Sequence, residues 1–285
     1  MPVLSTPADS ALVEQASFAS SGSDLEFRQS EFYRTLSAKA EESNTELSGE
    51  ITKSVLLGLL QQNLSRVADL NYSEQVKKLI EAEFHRINKE IGKKSNSHFD
   101  ITEHRTRCDF RILCFSRVPA GVEHMEVGGI PRRLLFSGGL VQLVKMLQLL
   151  GTTRQFAPFL DIHLKHGLNK PAAFLLSYNR KSQIELYLNV ASTLERHPGY
   201  LGLMATSWFY DPILDEVSPH LSFLRELMME NGAYLLRVGR TENANRDAVS
   251  GSKSRSNQQG DGEYVPTEYT VVWPRRALLE WAEKQ

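Results

Sequence analysis

The stretch that decides the fold runs from Arg196 to Arg240 and reads RHPGYLGLMATSWFYDPILDEVSPHLSFLRELMMENGAYLLRVGR. Its first half, Tyr200 to Tyr210, is apolar at most positions and rich in aromatic and small residues. A strand with water on one face would alternate polar and apolar side chains, so this run is typical of a strand covered on both faces. The Asp211-Pro212 pair ends the run. The sequence therefore predicts a central strand with a layer of protein on either side.

The second half of the same stretch predicts a helix followed by another strand. Ser218 is suited to cap a helix with Pro219 in its first position, and Asn231-Gly232 is a stop signal. Ala233 to Val238 is again short and apolar. A strand, a helix and a strand in succession are most simply joined as a right-handed parallel crossover. We therefore expect an α/β fold with a central mixed sheet covered by helices and an N-terminal helical segment; α+β is the alternative.

The composition is that of a soluble globular protein. Of the 285 residues, 41% are hydrophobic and 24% are charged, with a formal net charge of -1 and a pI near 6.7. A nearly neutral chain creates no global field that attracts nucleic acid or an anionic membrane, so neither is expected as a partner. The longest apolar runs, near Leu140 to Leu150, are too short and too polar to span a bilayer, and no signal peptide is recognised. Cys108 and Cys114 fit neither a disulfide framework nor a zinc motif, which favours reduced thiols and a cytoplasmic location.

Three segments are predicted along the chain. Residues 1–24 are rich in Ser and Ala without sustained periodicity, which predicts a disordered tail. Residues 25–95 are predicted to form the N-terminal helical segment. Residues 96–285 then form the α/β domain, in which the polar residues 241–262 are expected to be a long surface loop.

Periodicity predicts the type of three further elements. Apolar residues from Val76 to Ile91 recur at helical spacing behind Ser73, a residue suited to cap that helix. Residues 110–115 alternate between two faces in the manner of a strand. A helix is predicted from Ser137 to Gly151 with three apolar side chains facing inward: Leu140, Val144 and Leu147.

One cluster of potential metal-binding or proton-transfer groups lies at Asp161, His163 and His166. A carboxylate and two imidazoles so close in sequence can ligate iron or zinc, and such a site would serve a metal-dependent oxygenase. The spacing also fits surface histidines that bind no metal, as short motif matches often do. We favour an imidazole acting as a general base, and no metal is expected.

A second candidate site follows the predicted central strand, at Ser207, Tyr210 and Asp211. Open α/β sheets place their ligands outside the carboxyl ends of strands, which is where these side chains would lie. The alternative is structural: Ser207 is packed, and Asp211 starts an Asp-Pro turn. No G-x-S-x-G elbow surrounds Ser207, so a hydrolase nucleophile is not expected.

Glycine and arginine residues suggest places where an anion could bind. Gly128-Gly129 with Arg132-Arg133 could offer backbone amides and guanidinium groups to a phosphate, although a simple turn is the commoner explanation. The polar segment 241–262 carries further basic residues without the aromatic side chains that nucleic-acid binders add: Arg246, Lys253 and Arg255.

The order of elements from Ser182 to Trp273, which is helix, strand, helix, strand, loop, strand, resembles the second half of the GNAT acyltransferase fold. Within it, Arg196-x-x-Gly199-x-x-Gly202 partly matches the pyrophosphate-binding motif Q/R-x-x-G-x-G/A of that family, although here it precedes the strand. The resemblance implies a mixed sheet splayed at its centre. It also implies an acyl-CoA or acyl-carrier-protein thioester as co-substrate and an amine as acceptor.

The resemblance implies roles in which a base deprotonates the amine and a hydroxyl group assists the leaving thiolate. By their location, Tyr210, Asp211 and His163 are the catalytic candidates. The predicted function is therefore transfer of an acyl group from a thioester to a small amine-bearing metabolite. The alternatives are a non-catalytic protein-interaction scaffold and the metal-dependent oxygenase. The candidates for binding the cofactor are Arg196, Gly199, Gly202 and Arg132.

Overall fold

A computed structural model of the chain describes residues 7–19, 24–42, 45–164, 179–250, 252–261 and 264–285. Its strands are β1 (Arg117–Pro119), β2 (Glu123–Gly128), β3 (Phe159–Leu164), β4 (Gly202–Ser207), β5 (Tyr234–Gly239) and β6 (Glu268–Pro274). In the described part of the chain they form one mixed sheet in the order β1-β2-β3-β4-β6-β5. The predicted α/β class, with a central mixed sheet covered by helices, is confirmed.

The chain divides into two compact units. Among the described residues, the first unit runs to Ala120 and also includes His124–Val127. The second unit comprises Gly121–Glu123, Gly128–Leu164 and the described residues from Asn179 onward. This division falls later in the sequence than the boundary that we predicted near residue 95, because the segment between them is helical and belongs to the first unit.

The first unit is largely helical. The helix predicted behind Ser73 is present as α5 (Glu74–Lys93). The Ser73 side chain accepts a hydrogen bond from the Val76 amide, and the apolar stripe from Val76 to Ile91 is buried. The β1 and β2 strands pair antiparallel, with Val118 opposite Met125. The helices are α1 (Pro7–Ala19), α2 (Asp24–Gln29), α3 (Glu31–Glu42), α4 (Thr45–Asn63), α5 (Glu74–Lys93) and α6 (His104–Leu113).

Two predictions for the first unit are wrong. The expected disordered tail contains helix α1, in which Val13 and Ala16 are buried. The expected strand at residues 110–115 is instead the end of helix α6 and its cap. The alternation misled because α6 is buried on all sides: even Arg111 is enclosed, where its guanidinium pairs with Glu126. A helix without an exposed face shows no helical period in its polarity.

The second unit contains the predicted central strand. Strand β4 runs parallel to β3 and antiparallel to β6, which also pairs antiparallel with β5. Strands β4 and β5 are therefore parallel, as the predicted crossover requires, with β6 between them. The helices are α7 (Leu134–Ser137), α8 (Gly139–Thr153), α9 (Arg180–Arg196), α10 (Leu214–Val217), α11 (Phe223–Glu230), α12 (Glu242–Ser250), α13 (Lys253–Gly260) and α14 (Arg275–Ala282).

Both faces of β4 are covered, as the apolar run predicted. Met204 packs in a cluster with Met146 and Leu149 of α8. The opposite face of the sheet presents Trp273, whose ring lies edge-on to Tyr187 of α9 with centroids 5.4 Å apart. The strand itself is shorter than predicted, because residues Trp208–Tyr210 form a 3-10 turn after Ser207.

The direction in which helix α8 faces was predicted wrongly. Leu140, Val144 and Leu147 are exposed, and the buried positions are instead Gln142, Met146 and Leu149. Gln142 is buried because its side-chain amide pairs with the backbone of strand β5, as a neighbouring strand would. Its Nε2 donates to the Arg237 carbonyl over 3.0 Å, and its Oε1 accepts from the Arg237 amide over 2.6 Å. Backbone satisfaction at Gln142 therefore acts together with the apolar packing of Met146 and Leu149 to set the buried face of α8.

The polar segment 241–262 is also different from its prediction as a loop. It contains helices α12 and α13, and Ala244 and Ala248 of α12 are buried in a cluster with Trp208 and Tyr264. Two alanines at helical spacing are a weak apolar signal, so the polar composition hid the helix. Upstream, Ser218 precedes a 3-10 turn, and helix α11 begins at Phe223. No helix in the described residues has the length and apolar character to cross a bilayer.

Candidate active site

The parallel pair β3 and β4 stops pairing early. Its register joins Leu160 to Leu203 and Asp161 to Met204, and no later pair of these strands occurs among the described residues. Strand β3 continues to Leu164 and β4 to Ser207. The carboxyl ends of two parallel strands that no longer pair are the position at which α/β sheets bind ligands.

Asp161 and His163 stand side by side on β3 at this end. They are two residues apart on a strand, so their side chains share one face. The His163 Nε2 lies 3.4 Å from the Asp161 Oδ2, and the side chains are 42% and 19% exposed, respectively. The other carboxylate oxygen, Asp161 Oδ1, is buried and has no hydrogen-bond partner within the part of the chain that the structure describes. An accessible imidazole beside an incompletely bonded carboxylate is suited to proton transfer.

Gly128 makes room for this carboxylate. A methyl group on Gly128 would come within 3.0 Å of the Asp161 Cβ, closer than side chains normally pack. The glycine at residue 128 therefore has a steric role beside Asp161. This role differs from the turn or anion-binding site that the sequence predicts at Gly128-Gly129. Gly129 is similarly confined, against Ala157.

Tyr210 ends the 3-10 turn that follows β4 and is buried. Burial raises the pKa of its phenol well above the ordinary value, and negative charge at Glu123 and Asp161 acts in the same direction. The phenol therefore stays protonated at neutral pH. It can donate a hydrogen bond or a proton, but it cannot act as a base.

A polar group that the sequence analysis missed lies on helix α9. The Gln183 Nε2 donates to the Tyr187 Oη over 3.2 Å and to the Leu224 carbonyl over 2.9 Å. Its Oε1 is buried and accepts no hydrogen bond from a described residue. Burial, with the charge of Glu123, raises the pKa of Tyr187. The signal was present in the sequence, since Gln183 and Tyr187 are four residues apart and so share one face of this helix.

Asp211 and Ser207 form local structure. The Asp211 carboxylate accepts hydrogen bonds from the Ile213 amide over 3.2 Å and from the Thr267 amide over 3.0 Å. Burial outweighs these two bonds and raises the pKa of Asp211. The Ser207 Oγ accepts from the Phe209 amide over 3.2 Å. These contacts favour the structural alternative for both residues.

The residues proposed to bind the cofactor lie at the other end of β4. Arg196 ends helix α9, Gly199 follows it, and Gly202 begins β4, whereas Tyr210 follows its end. At about 3.3 Å per residue, the strand separates its two ends by roughly 16 Å. The C-terminal end of a helix presents carbonyl groups and a negative partial charge, which do not favour phosphate.

Gly202 is required for a structural reason. Its φ is +149°, and a methyl group there would collide with the Trp273 carbonyl oxygen of the neighbouring strand. Gly199, in contrast, has open space around it. Arg132 is exposed in the turn before α7. The structure thus brings Asp161, His163 and Tyr210 to one end of the β3 and β4 pair and leaves Arg196, Gly199 and Gly202 at the other.

The remaining candidates have separate positions. His166 lies outside the described residues, as does the side chain of Lys253, and no group of three potential metal ligands occurs within the described part of the chain. Arg246 is exposed beside Asp247, with the Nε 3.2 Å from the Oδ1. Arg255 is buried, donates to the Ala248 carbonyl over 2.6 Å and lies over the Trp208 ring.

Comparisons with known proteins gave one similar structure. No family model matches the chain. No curated protein matches its sequence. Among solved structures, a crystal structure of an acyltransferase in complex with decanoyl-CoA and teicoplanin is similar, with a TM-score of 0.45 and 8% identity over 96% of this chain and 90% of that one. A likeness at this level does not specify a function.

Proposed function

We propose that this protein transfers an acyl group from a thioester to the amine of a small metabolite. The observation that carries the proposal is the set of groups at the carboxyl end of the β3 and β4 pair. There the register ends at Asp161, the neighbouring His163 is accessible, and the buried phenol of Tyr210 follows β4. One base and one acid at the end of a parallel pair are what transfer between an amine and a thioester requires.

The chemistry assigns one role to each group. The His163 imidazole takes a proton from the ammonium form of the acceptor, and Asp161 orients that ring. The amine nitrogen then attacks the thioester carbonyl and forms the new C–N bond, and the C–S bond breaks as the tetrahedral intermediate collapses. Tyr210 gives its proton to the departing sulfur and regains one from the amine nitrogen as the intermediate collapses, while the proton that His163 took passes to solvent. Asp211 keeps a structural role in this proposal.

The end of the parallel pair also offers hydrogen bonds to a donor substrate. Beyond Asp161 and Met204, the backbone groups of β3 and β4 no longer pair with each other. Such an edge can take an extended amide chain as an additional strand. The pantetheine arm of a CoA or acyl-carrier-protein thioester is a chain of this kind. This supports an acyl-thioester co-substrate.

Phosphate groups of the donor would bind best at the start of helix α9. The helix begins at Arg180 next to Lys181, and both side chains are exposed. In a β3-α9-β4 crossover the start of the helix lies at the carboxyl ends of the strands, and it presents backbone amides and a positive partial charge. We therefore place the phosphates there, although the motif at Arg196, Gly199 and Gly202 first suggested the opposite end.

The proposal is tested by ligand binding and by release of free thiol. Acyl-CoA should raise the melting temperature of the full chain, and a panel of amines should release CoA from it. In this assay Tyr210→Phe should lower kcat by about 10²-fold at unchanged melting temperature, since it removes the proton donor. The matched control is Tyr200→Phe, at the start of the β4 strand, which should keep full activity. Stabilisation by iron or zinc alone would instead support the oxygenase, and no ligand effect would support the scaffold.

The same assay distinguishes the two ends of helix α9. Lys181→Gln should raise the KM for acyl-CoA without lowering kcat, because it weakens phosphate binding in the ground state and the transition state alike. Arg196→Gln should leave both constants unchanged. The reverse result would return the phosphate site to the motif at Arg196, Gly199 and Gly202, while leaving the proposed reaction in place. The proposal also includes a cytoplasmic location and a small molecule as the acceptor substrate.

A further inference from the structure

Helix α8 and the short helix α7 before it carry an apolar stripe that no described residue covers. Phe136 is 82% exposed and Leu140 is 80% exposed. Val144 and Leu147 continue the stripe at helical spacing, and Val141 flanks it. The buried face of the same helix, at Gln142, Met146 and Leu149, lies on the opposite side of the helical wheel. The exposed stripe is therefore a second apolar surface and not the edge of the core.

The charge of the surrounding sequence has one sign. Between Glu126 and Asp161 the chain contains no acidic residue but includes four basic ones: Arg132, Arg133, Lys145 and Arg154. Arg132, Arg133 and Arg154 are exposed, and none of the three makes an ion pair with a described residue. The net charge of -1 for the whole chain conceals this basic segment.

We propose that this surface, defined by Phe136, Leu140, Val144 and Leu147 with Arg132, Arg133 and Arg154 around it, binds an anionic lipid surface. An amphipathic helix with Phe and Leu on one side and basic residues beside them lies in the interface of a bilayer, with its apolar side chains below the headgroups. Arginine residues near the surface add attraction to anionic lipids. This inference does not depend on the proposed acyl transfer, and it differs from our expectation that the protein has no membrane partner.

Two other occupants fit the stripe less well. A second copy that docked through the same segment would bring Arg132 and Arg133 close to its own basic residues, since the segment between Glu126 and Asp161 contains no acidic residue. A folded protein partner would need a groove to receive the stripe, since side chains exposed to this degree form a ridge. A bilayer receives a ridge without a preformed groove.

Vesicle flotation of the full chain tests the proposal. The protein should float with vesicles of phosphatidylcholine and phosphatidylglycerol, less with phosphatidylcholine alone, and less at high salt. The double variant Leu140→Gln with Val144→Gln should weaken binding by at least about tenfold, since it removes two buried apolar side chains. Arg132→Gln with Arg133→Gln should weaken binding to anionic vesicles by about fivefold for each charge removed.

Matched controls separate the surface from general hydrophobicity or charge. Leu47→Gln removes an exposed leucine of helix α4, and Arg240→Gln removes an exposed arginine after β5; both should bind vesicles as the unaltered protein does. All variants should keep their melting temperature, because the altered side chains are exposed. Absence of vesicle binding, or equal loss in the Leu47→Gln control, would overturn the proposal. An oligomer seen by light scattering would also overturn the proposal, if Leu140→Gln with Val144→Gln dissociates it and the other variants do not.

Discussion

Two carboxylates, the buried Glu126 in the first unit and the partly exposed Asp161 in the second, have opposite surroundings. In the first unit Glu126 is held by Arg111 through bonds of 2.9 and 2.7 Å, and Arg117 lies 3.0 Å from it. In the second unit Asp161 has His163 at 3.4 Å beside one oxygen, while its other oxygen is buried without a hydrogen-bond partner among the described residues. Both residues come from strands of the sheet. The difference between them lies in how completely each is bonded.

Structural and functional charged groups in this protein differ in how fully their atoms are hydrogen-bonded. The first unit pairs its buried charges repeatedly: Arg86 lies 2.5 Å from Asp109 and 2.6 Å from Glu83. Complete pairing offsets the cost of removing charge from water, and it leaves no bonding capacity for a ligand. An unsatisfied oxygen next to an accessible imidazole does have that capacity. The combination of an unsatisfied carboxylate oxygen and an accessible imidazole, more than burial or charge alone, therefore identifies the candidate site.

The largest effect is expected for Glu126→Gln. The change removes the carboxylate that pairs with the buried Arg111 and Arg117, which should lower the free energy of unfolding by about 3–5 kcal/mol in urea titrations. Glu280→Gln is the matched control, because its exposed partner Arg276 lies 2.7 Å away and such surface pairs contribute below about 1 kcal/mol. Equal losses for the two variants would show that the bonding of Glu126 has no special structural role.

A smaller effect that depends on pH is expected for Glu90→Gln. Partial burial acts to raise the pKa of Glu90, but Arg86 and Arg105 outweigh it, so the pKa lies below its ordinary value of 4.5. A lowered pKa stabilises the fold above the unfolded value, and this stabilisation is lost as the pH falls through the folded value. The stability difference between the unaltered protein and Glu90→Gln should thus be full near neutral pH and vanish in acid. A difference independent of pH would contradict the pairing.

The smallest change in stability is expected for Asp161→Asn. The carboxylate is incompletely bonded and partly exposed, so its loss should change the free energy of unfolding by within about 0.5 kcal/mol. Thiol release should nevertheless fall by about 10²-fold, because His163 loses the group that orients it. Asp215→Asn, which alters an exposed carboxylate 2.6 Å from Arg225, should keep its activity. If Asp161→Asn destabilised the protein as Glu126→Gln does, Asp161 would be a structural residue.

The candidate site was only partly predictable. Tyr210 was expected at the end of the β4 strand, because the end of an apolar run is visible in the sequence, and it follows that strand. Asp161 and His163 were singled out as neighbours in the sequence, but only the structure places them on one strand, β3. In contrast, Gln183 and Tyr187 come from a helix, and Glu123 precedes the Gly128 turn, so their proximity to Tyr210 depends on packing between distant segments.

By itself, the sequence determined the elements whose signals are local. These are helix α5 with its Ser73 cap, strand β4 with its apolar faces, and the crossover from β4 to β5. The tertiary structure alone decided that residues 104–113 are a helix and that α8 faces inward through Gln142. The physical reason is the same in both cases. A buried polar side chain is stable only with its partner, and Arg111 and Gln142 find theirs at Glu126 and Arg237, far along the chain.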